Sequence, residues 1–161
     1  MSQAFSHQVV LTSPDQTRDL AVRLSETLRA GDVLLLEGGI GAGKTHFARS
    51  LIQARLAQLG LIEDVPSPTF TLVQTYDIGE VEIWHADLYR LSHPDEIVEL
   101  GILQAFEEAI CLIEWPDRLD TLAPSQPLML SFEYGEDLET RVITFSGDKE
   151  RWQDRMLGAL E

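Results

Sequence analysis

Residues 38–45 read Gly38-Gly39-Ile40-Gly41-Ala42-Gly43-Lys44-Thr45, GGIGAGKT, and fit the spacing G-x-x-x-x-G-K-[ST] of a phosphate-binding loop. The chain has 11 glycines and only two lysines, so chance would produce such a match in about one chain of this composition per thousand. The flanks support it. Residues 32–37 (DVLLLE) form a continuous apolar run, as expected of a parallel strand buried on both faces. Residues 44–59 (KTHFARSLIQARLAQL) predict a helix that turns Phe47, Ala48, Leu51, Ile52 and Leu59 toward a sheet, with Gly60 as its stop. Strand, glycine-rich loop, helix is the order that a phosphate loop needs.

Upstream, residues 4–12 (AFSHQVVLT) predict a strand. Ser13 then caps a helix with Pro14 at its first position, and Gln16 completes an S-x-x-Q capping box. Leu20, Leu24 and Leu28 recur every four residues along it, and Gly31 ends it. Downstream, TFTLVQTYD and VEIWHAD alternate and are split by residues 78–80, which predicts an antiparallel pair with VEIWHAD half exposed. SHPDEIVELG is a short helix stopped by Gly101. AICLIEW is a second continuous apolar run ending in an acid. PLMLSFEY and TRVITFS are two further strands. The tail, DKERWQDRMLGALE, spaces Trp152, Met156 and Leu160 by four and predicts a closing helix. Residues 1–161 are expected to form a single α/β domain, three-layered and P-loop NTPase-like, around a central mixed, largely parallel sheet.

Bulk composition narrows the function. Twelve Lys plus Arg against 27 Asp plus Glu leave a formal charge of −15. A field of that sign repels nucleic acid, whose sequence-independent affinity comes from neutralised phosphates. Direct, tight RNA or DNA binding is therefore not expected. No window approaches a membrane span, the first residues lack a signal-peptide pattern, and a single Cys111 offers no disulfide. These features lead us to expect a cytoplasmic protein with a buried, inert cysteine.

The chemistry starts from the loop. Glycines let successive backbone N–H groups wrap phosphate oxygens, and the helix beginning near Lys44 adds its positive end. Lys44 supplies a full charge and Thr45 a hydroxyl for Mg²⁺. A carboxylate at the end of a neighbouring buried strand is also needed. Glu114 follows four apolar residues and is the metal-side candidate. Asp87 ends VEIWHAD and is expected to anchor the site from behind or to orient the attacking water. In VPSPTF, two prolines hold the chain extended, leaving Thr69 either a switch-loop hydroxyl or part of a plain loop. By default His85 is a structural histidine, Trp84 and Trp115 are packing groups, and Arg90 pairs at the surface, with pairing to Asp87 or an approach to a phosphate as its alternatives.

Four motifs in order, GGIGAGKT, SPTF at residues 67–70, HADLYR at residues 85–90 and LIEWP at residues 112–116, resemble the TsaE family, the small bacterial ATPase of the tRNA threonylcarbamoyladenosine pathway. The likeness spans roughly residues 10–120 and takes in the phosphate loop and both acidic motifs. It implies ATP and Mg²⁺ as cofactors. It also implies a two-subunit threonylcarbamoyl-transferase complex, of TsaB and TsaD type, as partner in modifying adenosine 37 of tRNAs that read codons beginning with A. By resemblance, Gly41, Ala42, Gly43, Lys44 and Thr45 bind phosphates, with His46 beside them. Thr45 and Glu114 hold Mg²⁺, Lys44, Asp87 and Glu114 are catalytic, and Thr69 is the switch hydroxyl. Gly39-Ile40 stands where Asp-Leu is common in the family, and His46 where Thr is common. The segment around residues 12–15 is an expected neighbour of the adenine.

Other functions fit less well. A small-molecule or nucleotide kinase closes an arginine-bearing lid on its substrate, and the ten arginines here are scattered. A guanine-reading GTPase usually needs an asparagine, and the chain has none. A non-catalytic ATP-binding assembly factor remains an alternative.

Overall fold

The computed structural model describes residues 3–160. Met1, Ser2 and Glu161, the last residue of the expected closing helix, lie outside them. Residues 33–36 are all buried. A run with no wettable face belongs in the middle of a sheet, and this one forms β2 (Val33–Gly38), the central strand of seven. Before it come β1 (Ala4–Leu11) and α1 (Pro14–Ser25). After it come α2 (Lys44–Gln58), β3 (Val73–Asp77), β4 (Glu82–Asp87), α3 (Pro94–Glu99), α4 (Ile102–Glu108) and β5 (Ile110–Glu114). A 3-10 segment (Pro116–Leu122), β6 (Leu128–Tyr134), β7 (Arg141–Asp148) and α5 (Lys149–Leu160) complete the chain.

The sheet order is β1-β7-β6-β2-β5-β4-β3. β6, β2, β5 and β4 run parallel, while β7, β1 and β3 pair antiparallel to their neighbours. The sheet is therefore mixed, with its parallel strands at the centre. Alternation sorts the core into two layers. Leu34, Leu36, Ile83 and Leu112 meet Leu20 of α1, Phe47 of α2 and Trp152 of α5. Val33, Leu35, Cys111 and Ile113 meet Ile97 of α3, Ile102 of α4 and Leu119 of the 3-10 segment. Helices cover both faces, as the three-layer expectation requires. Cys111 is fully buried, and burial pushes its thiol up to about 12, so it packs as a small hydrophobe.

Several sequence expectations change. β4 is not half exposed: both faces of the sheet are covered there, with Ile83 packed in the layer against α1, α2 and α5 and Ala86 in the layer against α3 and α4, and residues 85–87 are buried. α1 stops at Ser25, where Ser25 Oγ and Thr27 Oγ1 turn back onto the carbonyls of Val22 and Leu24. Leu28 stays buried beyond its end. Gln16 accepts from the Thr12 amide, so the capping box is displaced by one residue. Leu59 is 49% exposed and Leu56 takes its place in the core. The residues before Val73 form turns, not strand. Gly101 ends α3 and also opens α4, a helix that the sequence pattern does not announce. No helix among the described residues is long and apolar enough to cross a membrane.

The base of β2 is fastened by charge. Asp32 is fully buried and accepts hydrogen bonds from Arg151 and Arg155 of α5, whose guanidinium groups also bind the carbonyls of Gly31 and Thr27. Removing the carboxylate strands two partly buried cations. Asp32→Ala is expected to lower unfolding stability by about 3 kcal/mol, measurable by urea denaturation. A loss below about 1 kcal/mol would place the clamp among ordinary surface pairs.

Candidate functional site

All the motif residues gather at the C-terminal ends of the parallel strands, where ligands bind in open α/β sheets. β2 ends at Gly38, and the chain turns through residues 39–43 into α2. Gly38 has φ +145, and a Cβ there would lie 2.6 Å from the carbonyl oxygen of Phe132. Only glycine lets the loop leave the strand so close to β6. Gly43 caps α2 in the left-handed region, at φ +105. No side chain caps α2 and its first turn contains no acid, whereas α1 is capped by Ser13. An uncapped N-terminus leaves N–H groups and the positive helix end free for an anion.

Lys44 folds back along the loop. Its Nζ donates to the Gly38 carbonyl at 2.6 Å and sits 3.7 Å from the centroid of the Trp115 ring. Burial lowers the Lys44 ammonium from the ordinary lysine range, opposed by Glu114, Asp87 and Asp117. An anion delivered to Nζ would relieve that penalty.

Two carboxylates face the loop. Parallel pairing of β4 with β5 sets Asp87 opposite Glu114, and both are buried. Glu114 Oε1 accepts from Thr45 Oγ1 at 2.7 Å, and its Oε2 lies 2.7 Å from His85 Nε2. Asp87 Oδ1 accepts the Tyr89 amide, and its Oδ2 accepts from Thr69 Oγ1 at 3.3 Å, while Thr69 also bonds Ser67. The loop carrying Thr69 closes on Leu72, a non-glycine at φ +69, whose amide donates to Pro68 and whose carbonyl accepts from the Asp87 amide. Trp115 follows Glu114 at φ +59, which turns its ring back over Lys44. Each such conformation costs about 1–3 kcal/mol, and here both brace the site.

No group of three or more His, Cys, Asp and Glu side chains is arranged to hold a metal ion among the described residues. The donors present do suit Mg²⁺, which takes oxygens from a hydroxyl, one or two carboxylates and substrate phosphates, not an all-protein cage. Two buried acids against one lysine also leave negative charge for a cation to balance.

Lys44, Thr45, Thr69, Asp87 and Glu114 line one cleft of about 250 Å³, together with Ile40, Gly41, Tyr89 and Trp115. His46 is turned away. Its Nε2 meets the Pro14 carbonyl at 3.0 Å, and it lines an adjoining groove of about 370 Å³ with Pro14, Thr17, Gly41, Gly43, Leu138, Glu139 and Arg141. Ala42 packs inward in the core. Arg90 does not pair with Asp87; it donates to the Phe70 carbonyl at 3.4 Å. Larger grooves, of about 660 and 640 Å³, open at the opposite ends of the strands and contain no motif residue. Chemistry, not volume, singles out the smaller cleft. Sequence reasoning missed Trp115 and Tyr89 as cleft walls and His85 as a partner of Glu114, although all three lie within the quoted motifs. It predicted the strands β6 and β7 but missed their contact with the loop, where Tyr134 Oη and Arg141 donate to the Gly41 carbonyl.

A glycine loop between a central strand and an uncapped helix, with acids at the ends of adjacent strands, defines an α/β domain of the P-loop NTPase-like kind. The chain belongs to the TsaE family: the family model described as "Threonylcarbamoyl adenosine biosynthesis protein TsaE" matches residues 11–143. It is 36% identical over 135 residues to the tRNA threonylcarbamoyladenosine biosynthesis protein TsaE of Rickettsia bellii, covering 84% of this chain and 92% of that protein. The corresponding protein of Bacillus subtilis is 34% identical over 142 residues, covering 88% and 85%. The crystal structure of Bacillus subtilis YdiB superposes with a TM-score of 0.77 at 26% identity, covering 99% of this chain and 97% of that one. The family takes part in tRNA threonylcarbamoyladenosine biosynthesis. The matched range extends past the four motifs and takes in β6 and the start of β7, with Tyr134 and Arg141.

The loop geometry separates two adjacent glycines. A Cβ added to Gly39 would meet nothing within 4 Å, and its φ is not left-handed, so Gly39→Asp is expected to change stability by less than about 0.5 kcal/mol. Gly38→Ala, driven into the Phe132 carbonyl, should cost about 1–3 kcal/mol and distort the loop. Thermal melts of the two variants provide the comparison, and equal losses would contradict the assigned loop path.

Proposed function

We propose that this chain is an Mg²⁺-dependent ATPase. Its hydrolysis of ATP supports a two-subunit threonylcarbamoyl-transferase complex, of TsaB and TsaD type, forming N6-threonylcarbamoyladenosine at position 37 of tRNAs that read codons beginning with A. The observation that carries this reading is the uncapped start of α2, with Lys44 folded across it, sharing one cleft with the facing pair Asp87 and Glu114.

In this reading the amides of residues 41–45 and the Lys44 ammonium take the charge of the triphosphate. Thr45 Oγ1 and Glu114 hold Mg²⁺, which when bound neutralises charge developing on the transferring phosphoryl group. Asp87, fixed by the Tyr89 amide and Thr69, orients the attacking water. Trp115 and Tyr89, 4.8 Å apart between centroids, wall the cleft against bulk water. The groove lined by Pro14, Thr17, His46 and Arg141 shares Gly41 with the cleft, so a single nucleotide can span both, with its base in the groove.

Lys44→Ala should weaken ATP binding by about 10–100-fold, as expected for losing a charge-assisted hydrogen bond of about 1.5–3 kcal/mol, and abolish hydrolysis. Unchanged ATP turnover in that variant would rule out this site.

No arginine lines the cleft among the described residues; Arg90 is engaged with Phe70, and Arg118 lies 5.9 Å from the Tyr89 ring. An arginine supplied to phosphoryl transfer is worth orders of magnitude in rate. Turnover by the isolated chain should therefore be slow, rise at least about tenfold when the transferase subunits are added, and be unmoved by tRNA alone. Equal rates with and without the subunits would refute the dependence on a partner. Partner binding that requires ATP but never consumes it would make the chain an assembly factor instead.

A further inference from the structure

His85 occupies a position that packing alone would give to an apolar side chain. Register pairs Ile83 with Ile110, His85 with Leu112 and Asp87 with Glu114, so these six side chains face the same side of the sheet. Ile83, Ile110 and Leu112 belong to the core against α1, α2 and α5, and His85 is fully buried beside them. Its Nδ1 has no hydrogen-bond partner. An ionised carboxylate only accepts, so the imidazole donates from Nε2 to Glu114 Oε2 at 2.7 Å. A leucine here would leave no orphan nitrogen. The imidazole thus sacrifices stability at one ring nitrogen for a single contact at the other.

That contact governs a carboxylate with two tasks. Glu114 accepts from His85 on Oε2 and from Thr45 on Oε1. Anchors on both oxygens fix the rotation of the carboxylate and keep Oε1 turned to the phosphate loop. We propose that His85 is a positioning residue: by holding Glu114 Oε2 it keeps Oε1 aimed at Thr45, and so sets the affinity of the site for Mg²⁺ in the presence of ATP. This proposal rests on the ATPase reading above and adds a residue to it.

The test compares His85→Gln, whose amide retains a donor near the Nε2 position, with His85→Met, similar in length and without one. Binding of a non-hydrolysable ATP analogue is measured by calorimetry across a range of Mg²⁺ concentrations. In His85→Met the Mg²⁺ concentration at half-maximal gain in affinity should rise about 10–100-fold, as for loss of a partner behind a metal ligand. Analogue affinity without Mg²⁺ should stay within about twofold, since the phosphate amides and Lys44 are untouched. His85→Gln should recover most of the Mg²⁺ response. An unshifted midpoint in His85→Met, equal shifts in both variants, or failure of either to fold would mark His85 as merely structural and overturn the proposal. If the unsubstituted chain binds the analogue with no Mg²⁺ dependence, the ATPase reading itself falls and takes this role with it.

Discussion

Parallel pairing of β4 with β5 brings Asp87 beside Glu114, and two carboxylates withdrawn together from water need positive charge nearby. Lys44 is one source, its ammonium held close enough that both acids oppose the lowering caused by its burial. His85 and Thr45 donate to Glu114 from two directions, and Thr69 and the Tyr89 amide donate to Asp87. The rest of the architecture follows from this arrangement. α2 must begin at the end of β2, its first turn bare, so that helix, lysine and acids converge on one cleft. The net charge of −15 does not set the field inside that cleft, because fixed amides and one ammonium act at contact distance while the distant surface charges are screened over about 8–10 Å.

The two ends of the sheet divide the work. At the N-terminal end, Asp32 joins β2 to α5 through two arginines, and the residues serve stability. At the C-terminal end, backbone in unfavourable regions at Leu72 and Trp115 is tolerated because it aims Thr69, Asp87 and the indole ring. Strain of this kind persists where surrounding structure over-determines it. The β6–β7 hairpin adds a third support by donating from Tyr134 and Arg141 to the Gly41 carbonyl.

Much of this was legible in the chain. The apolar runs at residues 33–36 and 110–113 read directly as buried central strands, because full burial removes alternation. The loop, Asp87 and Glu114 stood out through residue type and spacing, whereas spacing left Thr69 open and only the family resemblance singled it out. What escaped depended on neighbours that a linear pattern does not reveal. β4 alternates and so looked half exposed, yet packed layers cover both faces of the sheet there, with Ile83 in one and Ala86 in the other. α4 has apolar residues at 102, 105 and 106, a helical spacing too short to stand out from the segment before it. His85 has an ordinary structural explanation in the sequence alone, and only the register that puts β5 alongside β4 reveals its contact with Glu114.

The central claim is that an anionic chain holds a nucleotide through fixed loop amides, one ammonium and a divalent cation. A crystal structure of the protein with a non-hydrolysable ATP analogue and Mg²⁺ tests it most directly. The account predicts phosphate oxygens within hydrogen-bonding distance of the amides of residues 41–45 and of Lys44 Nζ, with the cation held by Thr45 Oγ1 and the Glu114 carboxylate. A nucleotide bound in another groove, or a cation that touches neither residue, would contradict it.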